Sequence, residues 1–141
     1  MIARHPFGIA FVAGGISATG FAPLNLWPLT IAMLALWIAI LMQAQSRKAA
    51  FLSGWLFGLG HFVVGLNWIA KAFTFQAAMP EWLGYVAVVL LSLYLAVFPA
   101  LAALGGWWIG RGRPLVLTVA LAGMWIVTEW LRSWLFSGFI W

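Results

Sequence analysis

Few side chains in this sequence are able to do chemistry, and most of them fall in two places. His61 interrupts one long apolar run, and Asn67, Trp68 and Lys71 close that run. Glu129 and Arg132 interrupt the last apolar run at i, i+3 spacing, which puts both on one helix face. A carboxylate and a guanidinium at that spacing make an ion pair, and a polar group in so apolar a segment is costly unless paired. Two uses fit the pattern. One is a structural ion pair with snorkelling basic chains. The other is a polar recess for a lipid head group or a partner domain, built from Asn67, Trp68, Lys71, Glu129 and Arg132. His61 alone is no metal site. With no second acid at its depth it reads as a hydrogen-bonded packing residue rather than a proton relay.

The remaining inventory excludes most catalysis. The sequence holds two acids, Glu81 and Glu129, and two histidines, too few for a hydrolytic or metal site. Cysteine is absent, so there is no thiolate nucleophile, disulfide or thiolate metal site. The Gly-Arg-Gly-Arg-Pro run at 110–114 follows an apolar stretch rather than a strand, and it is not a phosphate loop. The expectation is no catalytic, cofactor-binding or metal-ligating residue in the chain, and no cofactor.

The elements that hold these residues are apolar throughout. Of 141 residues 66% are hydrophobic and 6% charged, and the mean hydropathy is +1.08. Soluble domains carry roughly 25% charged residues, and so few polar groups cannot cover a water-soluble core. The net charge of +5 is spread along the chain without a polar face, which argues against nucleic acid. Five apolar stretches run from about Phe7 to Ala22, Leu26 to Ala44, Ala49 to Ala72, Trp82 to Ile109 and Leu115 to Phe136. Four of them reach the roughly 20 residues that cross a bilayer, and no strand alternation is present. The first is short and glycine-broken, and reads as a span rather than a signal peptide. The expected fold is all-α: one polytopic transmembrane helix bundle of about five spans over residues 1–141.

Arg4, Arg47, Lys48, Arg111 and Arg113 fall on one side of such a bundle, whereas Lys71 and Arg132 lie near the other. The positive-inside rule then puts the N-terminus in the cytoplasm and Trp141 outside. Trp27, Trp68, Trp82, Trp107, Trp108 and Trp134 sit near segment ends, as an interfacial aromatic belt requires. Gly54 and Gly58, with Gly65 following, and Ala10, Gly14 and Ala18 have the small-residue spacing of close helix packing in lipid.

Three strings in register resemble the N-terminal membrane region of bacterial apolipoprotein N-acyltransferases. GFAPLNLWP (20–28) is similar to that family's first outer loop. GWLFGLGHFVVGLNWI (54–69) is similar to its glycine-rich third helix. WIVTEWLRSWLFSGFIW (125–141) is similar to its Glu-x-x-Arg stretch and the motif after it, with Ile140 where the family usually has Pro. The resemblance implies an enzyme of the bacterial inner membrane. That enzyme moves an acyl chain from phospholipid, through a catalytic Cys, to the N-terminal cysteine of an apolipoprotein. The family continues into a nitrilase-like domain with a Glu-Lys-Cys triad, so the chain reads as a fragment: a membrane platform, inactive alone. Phospholipid and apolipoprotein are the implied partners. A small transporter or channel subunit, or a non-catalytic membrane scaffold, is the alternative. The clustering of polar residues toward one side counts against a transport path.

Overall fold

The structure, a computed structural model, describes residues 5–73, 75 and 80–135. Arg4, the break at Gln76 and Met79, and the chain end with Ile140 and Trp141 lie outside them. Every regular element among the described residues is helical. Helix α1 spans Pro6–Ser17 and runs into a 3₁₀ turn, Ala18–Gly20. Then come α2 (Trp27–Met42), α3 (Arg47–Gly65), α4 (Asn67–Phe73), α5 (Glu81–Leu95), α6 (Val97–Gly110) and α7 (Pro114–Trp134). Starts follow local chemistry. Pro6, Pro28 and Pro114 open α1, α2 and α7, where a missing N–H costs nothing. Ser46 caps α3 through its side chain, which accepts from the Ala49 N–H at 3.1 Å.

The apolar stretches are less uniform than the sequence suggests. Residues Trp82–Gly110 and Pro114–Trp134 are long and apolar enough to cross a membrane. Helices α3 and α4 add a third candidate only as a bent pair, with 43° between them. The bend falls at Gly65, Leu66 and Asn67, where Gly and Asn are weak helix formers. The stretch Trp82–Gly110 is divided at Ala96, because Pro99 offers no N–H to the Leu95 carbonyl one turn earlier. Helix α2 has 16 residues, about 24 Å at 1.5 Å per residue, short of a ~30 Å hydrocarbon core. By length and composition the described residues give two candidate spans, or three if the bent pair is one span, and α1 and α2 are shorter apolar helices.

The helices alternate in direction. Gly14 meets Phe57 and His61, and Ala18 meets Gly65, so α1 and α3 run parallel. Gly54 faces Ala100 and Ala103 while Gly58 faces Ala96 and Pro99, so α6 runs antiparallel to α3. Gly106 meets Leu121 and Gly110 meets Leu117, which returns α7 antiparallel to α6. Gly54 and Gly58 share a face as expected, but Gly65 turns to the α1 side with Gly60. Helix α3 is therefore flanked by backbone on two sides. A Cβ on Gly54 would stand 2.6 Å from the Pro99 carbonyl oxygen, and one on Gly60 would strike the Phe11 carbonyl. Around this centre Trp37 is fully buried. It stacks on Phe57 at 4.4 Å between ring centroids, meets Trp125 edge-on at 6.0 Å and donates to Ser53 Oγ at 3.2 Å. One residue thereby ties α2, α3 and α7. Trp107 departs from the expected belt: it is buried and donates to the Ala44 carbonyl at 3.0 Å, whereas Trp27, Trp68, Trp82, Trp108 and Trp134 are exposed.

Gly60→Val forces α1 and α3 apart and is expected to cost about 1–3 kcal/mol or more of stability. Gly123→Ala, where an added Cβ meets nothing within 4 Å, is expected to be within about 0.5 kcal/mol of the parent or slightly stabilising. Unfolding midpoints in detergent compare the two.

Candidate functional site

Of the polar residues singled out by type and spacing, Glu129 and Arg132 meet at the end of the bundle where α3 and α7 finish. Helix α7 carries Glu129 and Arg132 on one face, and their side chains form an ion pair through Glu129 Oε2 and Arg132 Nη2. Arg132 is 2% exposed and Glu129 29%, so the pair bridges the packed interior and the surface. The Arg132 guanidinium carbon lies 5.9 Å from the centroid of the Phe62 ring on α3. The cation is therefore held from two directions, by a carboxylate and by an aromatic face. Phe62 belongs to an apolar cluster with Leu66, Ala70, Val88, Leu95 and Phe98, against which Leu131 also packs.

On the other side of the same turn of α3, His61 meets α1. Its Nδ1 lies 2.7 Å from Ser17 Oγ, and that hydroxyl also lies 2.6 Å from the Gly14 carbonyl oxygen. Ser17 has one proton to give. When it goes to Gly14, His61 must donate from Nδ1, and Nε2 is left as the acceptor. Phe21 stands edge-on to the imidazole at 5.7 Å and Phe57 lies nearly parallel to it at 6.5 Å. His61 is thus a hydrogen-bonded residue in an aromatic enclosure. The Ser17 hydroxyl donates to the Gly14 carbonyl, and among the described residues no carboxylate bonds to the His61 ring, so the pair lacks the geometry of an activated nucleophile. Among the described residues no group of three His, Cys, Asp or Glu side chains is placed to hold a metal.

Phe21 comes from the loop that closes the same end. Asn25 adopts a left-handed backbone conformation, φ 53°, which Asn tolerates better than most residues. The Leu26 N–H donates to the Thr19 carbonyl at 3.1 Å, and Thr30 Oγ1 donates to the Ser17 carbonyl at 2.7 Å. The loop is thereby folded back onto α1, and Phe21 is brought to His61.

The other three residues sit differently. Asn67 and Trp68 are exposed on α4, and Lys71 is exposed in its last turn. Among the described residues no hydrogen bond, ion pair or ring contact joins Asn67 or Trp68 to Glu129 or Arg132. The bend at Leu66 carries α4 away from the axis of α3 and onto α5, where Gly84 admits Ala70 and Phe73. The contacts that sequence reasoning missed are Ser17 on His61 and Phe62 under Arg132. Ser17 and Phe62 are ordinary residues of apolar runs, and only helix pairing marks them.

A family model for the apolipoprotein N-acyltransferase N-terminal domain matches residues 13–141. The chain belongs to the apolipoprotein N-acyltransferase family. It is 37% identical over 142 residues to an apolipoprotein N-acyltransferase of Vibrio cholerae, covering 97% of this chain and 27% of that protein. It is 38% identical over 141 residues to one of Shewanella oneidensis, covering 94% and 26%. It is 39% identical over 141 residues to one of Rhodopseudomonas palustris, again covering 94% and 26%. The chain thus spans about a quarter of the length of these relatives, and its apolar helices fit a membrane protein of this family.

Glu129→Gln is expected to lower stability by about 1–3 kcal/mol, because Arg132 keeps its burial and loses a charged acceptor. A double-mutant cycle with Arg132→Gln should return a coupling of at least about 0.5 kcal/mol. A coupling of zero would show that the pair contributes nothing.

Proposed function

We propose that this chain is the membrane-embedded platform of an apolipoprotein N-acyltransferase and contributes no catalytic residue of its own. The whole enzyme moves an acyl chain from phospholipid to the N-terminal cysteine of a lipoprotein. The observation that carries this reading is the family match, which covers nearly all of the chain and about a quarter of each relative. The absence of cysteine supports it, since acyl transfer through a thioester needs a thiolate that this sequence does not contain. In this reading the five apolar segments all cross the bacterial inner membrane, α1 and α2 with little tilt and local bilayer thinning. The N-terminus is cytoplasmic, and the Glu129–Arg132 end lies outside. There Asn67, Trp68 and Lys71 on α4 help frame the opening where phospholipid and apolipoprotein reach the outer domain.

Replacing the matching quarter of the Vibrio cholerae enzyme with this chain is expected to give a chimera that retains acyl transfer in a strain depleted of its own enzyme. A chimera that inserts in the membrane and transfers nothing would end the platform reading. The 141-residue chain purified alone is expected to acylate no diacylglyceryl peptide. Because the sequence has no cysteine, single cysteines at Asn25 and Ser46 report sidedness without background. The expected result is periplasmic labelling of position 25 and not of position 46, and the reverse pattern would invert the topology.

A further inference from the structure

The end of the bundle opposite Glu129 has an electrostatic problem of its own. The loop between α2 and α3 and the loop between α6 and α7 meet there, tied by the hydrogen bond from Trp107 to the Ala44 carbonyl. Each loop brings two cations: Arg47 and Lys48 in the first turn of α3, and Arg111 and Arg113 before α7. All four are exposed. Two are placed by aromatic rings. The Arg47 guanidinium carbon lies 6.0 Å from the Trp108 centroid, and that of Arg111 lies 5.2 Å from the Trp107 centroid. A guanidinium resting on a ring keeps its N–H edge free for a second partner, and its direction is fixed.

Among the described residues no ion pair joins these four cations to an acid: Glu129 is paired with Arg132 at the far end of the bundle. The helix dipoles do not supply the missing negative charge: the amino ends of α3 and α7 meet the carboxyl ends of α2 and α6 here, and neither α3 nor α7 has an acidic residue in its first turn.

The neighbours of these cations are apolar. Trp108 is 68% exposed, Ile109 59% and Leu115 77%, each within three residues of Arg111 or Arg113. A partner that satisfies both sets must join an anionic group to a hydrocarbon body. A nucleic acid or a free anion would leave the apolar side chains in water. We infer that Arg47, Lys48, Arg111 and Arg113 form a binding site for the phosphodiester of an anionic glycerophospholipid, whose acyl chains lie along Trp108, Ile109 and Leu115. The site is at the end of the bundle opposite the Glu129–Arg132 pair and, on the proposed reading in which phospholipid donates its acyl chain at that pair's end, serves anchoring and not acyl donation. The two stacked arginines present fixed N–H groups to the phosphate, and Lys48 and Arg113 add charge without a ring contact.

The test is native mass spectrometry of the 141-residue chain in detergent, titrated with phosphatidylglycerol, phosphatidylcholine or free glycerol phosphate. Retention of phosphatidylglycerol well above phosphatidylcholine is expected, with binding that weakens as salt rises. Lys48→Gln with Arg113→Gln should weaken phosphatidylglycerol binding by about fivefold per cation, about thirtyfold for the pair, with an unchanged helical circular dichroism spectrum. Lys48→Arg with Arg113→Lys, which keeps the charge, should retain binding. Equal retention of the two lipids, full binding by the Gln pair, or loss of binding in the charge-conserving pair would overturn the proposal. Displacement of the lipid by equimolar glycerol phosphate would show an ion site instead and overturn the assignment to lipid.

Discussion

Helix α3 packs against α1 and α6 at backbone contact on two sides, and the positions of the other helices follow from that. In lipid there is little hydrophobic gain in bringing two apolar helices together, so close approach of backbones and dispersion must supply the attraction. Gly54 and Gly58 open one side of α3 to Ala96, Pro99, Ala100 and Ala103, while Gly60 and the facing Gly14 open the other to α1. Once α1 and α6 are seated, α7 is fixed by Gly106 and Gly110 against Leu121 and Leu117. Trp37 then fills the space left between α2, α3 and α7. The packing leaves α3 few large side chains directed inward. Of those it has, Phe57 stacks on Trp37, His61 meets the Ser17 hydroxyl and Phe62 underlies Arg132.

The same packing explains why the polar residues become two small local sites rather than one. Ser17 and Arg132 approach α3 from different helices at neighbouring positions, 61 and 62. Each finds a partner close to where it sits: the imidazole a hydroxyl, and the guanidinium a carboxylate one turn away and a ring below it. Nothing in either set is arranged for bond making.

Charge is distributed very differently at the two ends. At one, Glu129 and Arg132 offset each other at the surface of the packed interior. At the other, four exposed cations lie where α2 and α6 end and α3 and α7 begin, with no ion pair to an acid among the described residues. An isolated ion pair can be complete within the protein. A run of like charge cannot, and its natural complement in a bilayer is the anionic surface of the lipid.

The sequence by itself determined the all-helical class, the membrane setting and the family. Composition left no soluble alternative, and three motifs kept their order along the chain. It also determined the Glu129–Arg132 pair, because i, i+3 spacing within a helix is a local property. It gave Gly54 and Gly58 a common face for the same reason. What it did not determine depends on which helix lies beside which. Trp107 reads as an interfacial belt residue until α6 is laid against the α2–α3 loop and its ring turns inward. Asn67, Trp68 and Lys71 read as continuing α3 until the chain bends at Leu66 and swings them onto α4. Ser17 and Phe62 carry no mark in an apolar run, yet they partner His61 and Arg132. Periodicity reports which residues share a face. Only tertiary packing decides what that face meets, because contacts between helices join residues dozens of positions apart, whose meeting depends on bends that one or two glycines, asparagines or prolines control.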